Sequence, residues 1–257
     1  MEPVSPAAPA FRHLSTRISV SGVPVHLELE IPAGKVLASA LLPALQNAAS
    51  AFVGASEQRS AKRGESASCK KGCGACCRQL VPIAPSEARA LASLVDGLPE
   101  KRRTAVLARF AEARTVVDKA GLLSLGEGPH LTREQSRESG LDYFDLQVAC
   151  PFLEEESCSI HSSRPLACRE YLVTSPAELC ADPAPDRIQM LPVQVKLSTG
   201  LQRVSESWEG QRWLPLVLAL DWVSAHPEEP ILPDGGAEFE NLVKSVLMSS
   251  ARQSSST

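Results

Sequence analysis

Between Val23 and Ile31 apolar and polar residues change places at every step. Val23, Val25, Leu27, Leu29 and Ile31 alternate with Pro24, His26, Glu28 and Glu30. A period of two puts every second side chain on one face of a strand, and this is the clearest strand signal in the chain. Ile18 and Val20 alternate with Ser19 and Ser21 just before it, and Gly22 turns the chain between them. The two stretches predict an antiparallel hairpin whose apolar face needs a cover. Residues 35–55 offer one, because Leu45, Ala48, Ala49 and Phe52 recur at helical spacing, with Pro43 opening or kinking the helix. Met1 to Ala10 reads as a disordered lead-in, and Ser56 to Ser68 as an exposed polar linker.

Helical spacing returns further on. Leu80 to Ile83 suits a short extended segment, after which Ser86 is placed to cap a helix with Glu87 in its first turn. Leu91, Leu94, Val95 and Leu98 form the buried stripe, and Gly97 ends the helix. A second helix runs from Pro99 to Lys119, with Val106, Phe110, Ala113 and Val117 inward and Lys101, Arg102, Arg103 and Arg109 in water. So tight a connection predicts a helical hairpin. Gly121 to Gly140 is irregular apart from one turn near Thr132, and Asp142 to Val148 leads towards Cys150. Asp182-Pro183-Ala184-Pro185 marks a boundary, followed by a weakly strand-like Ile188 to Leu197 and a helix from Trp213 to Ser224. Phe239, Leu242, Val243, Val246 and Leu247 give a last amphipathic helix before a Ser-rich, frayed tail from Ser249. No solenoid repeat is present.

The fold class is therefore α+β: mainly α-helical, with a small N-terminal antiparallel β-hairpin and a metal-stapled cysteine-cluster core. Three segments are expected: a strand pair plus helix over 1–60, a cysteine-cluster domain over 61–185 and a helical segment over 186–257. A hydrophobic share of 44% supplies a real core, and aromatics at 4% leave it to Leu, Val and Ala. The net charge of −4 argues against general nucleic-acid or membrane-surface binding. The N-terminus lacks a secretory pattern and no apolar run reaches bilayer length, so the expected location is the cytoplasm.

In a reducing compartment, clustered cysteines point to metal binding or catalysis rather than to disulfides. Cys69, Cys73, Cys76 and Cys77 fall within nine residues, and Cys150, Cys158, Cys168 and Cys180 follow. A soft or borderline metal stabilises such thiols as thiolates, and short loops gather them at little entropic cost. Gly72 and Gly74 suit the tight turns around Cys73. Adjacent Cys76 and Cys77 are expected to diverge and face different ions, or to leave one outside the coordination shell. A turn through Glu154 to Glu156 would bring Cys150 and Cys158 together, and His161 could add an imidazole. Lys70, Lys71, Arg78, Arg164 and Arg169 could offset thiolate charge, donate to sulfur or hold an anion. Lone Cys180 and isolated His13, His26, His130 and His226 are not expected to bind metal.

Taken together, Cys69-x3-Cys73-x2-Cys76-Cys77, Cys150-Pro-Phe-Leu, Cys158-Ser-Ile-His161 and Arg164-Pro-x-x-Cys168-Arg169-x-Tyr171 resemble the YkgJ-type cysteine-cluster family, described as zinc- or iron-chelating. The resemblance covers residues 65–175. It implies Cys69, Cys73, Cys76, Cys77, Cys150, Cys158 and Cys168 as ligands of zinc or iron, an iron–sulfur cluster included. Many members have tyrosine where this chain has His161, and Cys180 lies outside the pattern.

The metal ion is the one partner implied, and no protein partner is indicated. A redox or methyl-transfer enzyme, remotely similar to flagellar-lysine methylases, is the alternative. No phosphate loop, Ser/His/Asp set or carboxylate constellation names catalytic or cofactor-binding residues. The Cys69-x3-Cys73-x2-Cys76 spacing also occurs in radical S-adenosylmethionine enzymes, but the βα repeats of their barrel are missing. A third reading is an interaction module using the N-terminal strand pair, which an exposed apolar face on Val23 to Ile31 would favour.

Overall fold

The computed structural model describes residues 10–20, 22–127, 132–182 and 187–254. Most of the expected lead-in, His130 and Pro183 to Pro185 lie outside the described residues. Strands β1 (Ala10–Val20) and β2 (Val23–Ala33) form the predicted hairpin, with Val20 opposite Val23 and Ala10 opposite Ala33. The first strand starts well before Ile18, because the pattern there is mostly polar and half exposed. After a two-residue β3 (Val36–Leu37), helix α1 (Leu42–Ala61) carries Pro43 in its first turn, so the proline opens the helix. It runs on into the first part of the expected linker, as far as Ala61, where Ser56 and Ser60 are buried; the exposed, non-helical stretch begins only after it.

A two-residue β4 (Pro82–Ile83) precedes α2 (Pro85–Asp96). The residue before this helix is Ala84, not Ser86: Pro85 takes the first helical position, and the Glu87 carboxylate accepts the Ala84 N–H at 2.9 Å. Next come α3 (Glu100–Lys119) and α4 (Arg133–Asp145), the latter capped reciprocally by Thr132 and Gln135. Helix α3 buries the predicted Val106, Phe110, Ala113 and Val117. Arg102 and Arg109, expected in water, instead lie over the next hairpin, where Arg109 reaches Glu154 at 2.8 Å.

That hairpin is β5 (Leu153–Glu154) and β6 (Ser157–Cys158), turned by Glu155 and Glu156 at positive φ. Beyond it lie the short α5 (Leu166–Glu170) and the longer α6 (Leu197–Glu209). Helix α6 occupies part of the chain that the pattern left unassigned, and the strand expected before it reduces to one bridge, Val173 to Met190. The expected helix from Trp213 begins as β7 (Leu214–Pro215), paired with β4, and becomes α7 only at Ala219–Ala225. The chain ends in β8 (Ile231–Leu232), paired with β3, and α8 (Gly235–Ser254), which includes residues expected to fray.

The main core joins β2 and α1 to α6 and α8, with Leu166 of α5 among its members. Val23, Val25, Leu27, Leu29 and Ile31 are all buried in it, so the hairpin's apolar face is covered. A second core surrounds Phe110 and Phe152, whose rings meet edge-on at 5.5 Å, and Cys150 and Cys158 pack against it. Helix α2 packs chiefly on α7 rather than on α3. The buried Arg89 fixes this arrangement: it donates to Glu209 of α6 and to the carbonyls of His226 and Glu228, over the Trp222 ring.

Candidate metal centre

The first cysteine loop is pinned at its start, where the Ser68 N–H donates to the Val173 carbonyl at 2.9 Å. Gly72, at φ 88°, lets the chain turn before Cys73, whose own N–H returns to the Lys70 carbonyl. Cys76 and Cys77 follow on a 3-10 turn, Ala75–Arg78. Gly74 sits so close to the β5–β6 hairpin that a Cβ there would lie 2.4 Å from Glu156 Oε2. The guanidinium of Arg78 then clamps Glu156 through two bonds of 2.7 and 2.9 Å. It thus braces the backbone scaffold, while its charge also reaches the Cys77 thiol.

One backbone bond joins the two cysteine groups: the Cys150 N–H donates to the Cys77 carbonyl at 2.7 Å. The thiols of Cys150 and Cys158 each accept a backbone N–H two residues on, from Phe152 and Ile160, and the Cys69 thiol accepts one from Val173. Cys168 is held on α5, whose first amide, Leu166 N–H, donates to Glu87 at 2.8 Å. Cys180 sits on another 3-10 turn, Ala177–Ala181, which packs on the turn carrying Cys76 and Cys77.

The eight thiols feel one another's charge. Cys69 and Cys180 interact with both Cys73 and Cys76, and Cys77, Cys150, Cys158 and Cys168 interact with Cys76 as well. Cys76 and Cys77 do not diverge as expected; their thiols hydrogen-bond to each other. That bond, aided by its own backbone and Arg164 and opposed by burial, brings Cys76 down to about 7. The same bond and burial push Cys77 up. Burial and neighbouring thiolates raise Cys150 to about 12 and Cys180 to about 11, and hold Cys168 well above the ordinary thiol range. A divalent cation among such thiols would reverse both effects.

The basic residues divide. Arg164 acts on Cys69, Cys76 and Cys158, and donates to His161 at 2.7 Å. His161 is thereby drawn to Arg164 rather than to sulfur, and the guanidinium lowers its pKa. Arg169 donates to the Arg164 and Ser162 carbonyls and to Ser50 Oγ; Glu170 turns away to Ser198. Lys70, Cys73, Gly74, Gln147 and Glu178 line an open cavity of about 370 Å³ beside the first loop. Three residues near the thiols escaped the sequence pattern. Glu87 and Arg109 sit outside the cysteine motifs, and Cys180 is brought in only by the packing of two 3-10 turns.

Residues 68–185 match a family model, CxxCxxCC, described as "Putative zinc- or iron-chelating domain". This stretch is similar to the CxxCxxCC family. The CxxCxxCC segment takes in all eight cysteines, Cys180 included. No curated protein and no solved structure matches the chain. Among the described residues, no helix is long and apolar enough to cross a membrane. The donor set of the CxxCxxCC segment fits a thiophilic metal in kind, through soft sulfur, N–H donors to sulfur and an adjacent guanidinium. Among the described residues, no three His, Cys, Asp or Glu side chains are already drawn tightly enough to hold an ion.

Proposed function

We propose that the CxxCxxCC segment is a thiolate centre that chelates zinc or iron, with Cys69, Cys73, Cys76, Cys77, Cys150, Cys158 and Cys168 as donors. Cys180 joins them. The observation that carries this reading is the 2.7 Å bond from Cys150 to Cys77, which puts two thiol groups far apart in sequence into one neighbourhood. Backbone N–H groups aimed at three of the sulfurs favour their thiolate forms, and Arg164 offsets part of the charge. Because the donors are gathered but not closed, metal uptake completes the local fold, so binding and folding are coupled. In that sense the metal staples the core. Four thiolates suit a closed tetrahedral zinc site and equally an iron–sulfur cluster.

A second reading is a redox or methyl-transfer enzyme built on the same centre. The open cavity beside Cys73 favours it, because a reacting molecule needs access to the metal. Metal analysis and an absorption spectrum on protein purified without oxygen test both. Colourless protein with bound zinc supports structural chelation; brown protein with iron and labile sulfide supports the redox form. A chain that retains neither metal, and takes up neither on reconstitution, overturns the proposal.

A further inference from the structure

The β1–β2 ribbon has two edges, and they are built differently. Only two residues separate Val20 from Val23, which makes that pair the first hydrogen-bonded pair of the ladder. Alternation then turns the amides of Pro24, His26, Glu28, Glu30 and Pro32 away from β1, towards the far edge of β2. Both prolines of β2 therefore stand where the ladder loses no donor. They blunt that edge, as prolines and charges do on edge strands.

The edge of β1 has no proline to block it. By the same alternation Phe11, His13, Ser15, Arg17 and Ser19 turn their amides outward, all five residues are exposed, and no proline occurs from Ala10 to Val20. Among the described residues β1 pairs with β2 alone. Phe11 is 60% exposed on this strand, a large apolar side chain with no partner in the core.

We propose that β1 is the contact of a two-fold homodimer, in which its free edge pairs antiparallel with the same edge of a second copy. The two ribbons become one four-stranded sheet, the β-addition mode of recognition. Side-chain partners select the register. Centring the pair on Ser15 would set His13, already bonded to Glu30, opposite Arg17 of the second copy, and Phe11 opposite Ser19, which offers the ring no partner. Centring it on Leu14 sets Phe11 opposite Arg17 and His13 opposite Ser15 on the outer face. On the inner face Leu14 then meets Leu14 across the axis, and Ala10 meets Ile18. Aromatic over guanidinium and leucine on leucine are both favourable cross-strand pairs. The half-buried Leu14 and Ile18 gain apolar neighbours, and Phe11 gains a partner.

Ser15→Pro tests this directly. Its amide points outward, so proline leaves the β1–β2 ladder intact, but by symmetry it removes two bonds between the copies. Sedimentation of the full chain, with reductant present and metal content matched, should give twice the 27.5 kDa of one chain at micromolar concentration. Ser15→Pro should dimerise about 30-fold more weakly, the value of two hydrogen bonds, with unchanged far-UV circular dichroism. Ser15→Ala should remain dimeric. Amide exchange at His13, Ser15 and Arg17 should slow as concentration rises, while that at Leu14 and Thr16 should not change. A wild type that stays at the single-chain mass, or amides at His13 and Ser15 whose exchange ignores concentration, overturns the proposal. A Ser15→Pro chain that dimerises as well as the wild type also overturns it.

Discussion

Glu87 holds two helix starts at once, taking the Ala84 N–H with one oxygen and the Leu166 N–H with the other. It is fully enclosed, and burial raises it to about 7 even though both amides favour its charged form. Replacing it with alanine strands two buried donors, and Glu87→Ala should cost about 2–4 kcal/mol in chemical denaturation. Because its folded pKa lies above the ordinary 4.5, the folded chain binds this proton more tightly than the unfolded one. That contribution to stability is complete below about pH 4.5 and is lost as pH rises through 7, so the gap between wild type and Glu87→Ala should narrow from pH 5 to pH 8. The thiols invite their own tests. Cys73→Ser, Cys158→Ser and Cys180→Ser should each lower bound metal per chain; undiminished metal in the last would return Cys180 to the role of a lone thiol. Arg164→Gln should weaken metal affinity by about tenfold in a chelator competition, the usual effect of losing a group that supports the ligands. Clustering and the family resemblance singled out seven of the eight cysteines as candidate ligands. Cys180 was not among them, because its neighbours in sequence say nothing and only a tertiary contact brings it near.

At the scale of elements, legibility followed the length of the pattern. Strand β2 alternates over nine residues and one face is buried, so its period could not be mistaken. The two-residue strands have no period to read; Leu80 to Ile83 and the turn through Glu154 to Glu156 announced β4 and the β5–β6 hairpin, but nothing local pairs β4 with β7 across more than half the chain. Helix α6 went unseen because its buried stripe of Leu197, Gly200, Leu201 and Ser205 is half small or polar. Its meaning is steric: a Cβ on Gly200 would lie 2.4 Å from Val246 Cγ2 on α8. Gly200→Val should therefore force the two helices apart and lower stability by about 1–3 kcal/mol, read from the urea midpoint.

The whole molecule combines a continuous apolar core with a more loosely tied cysteine segment. Hairpin, α1, α6 and α8 bury a continuous apolar cluster, whereas the cysteine loops are tied by turns, two-residue strands and a few backbone bonds. Stripping the metal with a chelator should speed hydrogen exchange at residues 69–80 and 150–182 and leave α1 and α8 protected. Uniform loosening would instead make the metal essential to the entire fold.

The bond between Cys77 and Cys150 has a further consequence, for the order of events during synthesis. About 100 residues separate Cys77 from Cys180. At about 5–20 residues per second, the first four thiols leave the ribosome about 5–20 s before the last joins them. Through that interval the nascent chain carries an incomplete set of sulfurs, open to oxidants and to whichever metal arrives first. On the proposed chelating reading, the choice of metal opens during synthesis, unless the emerging quartet is kept reduced until its partners are present.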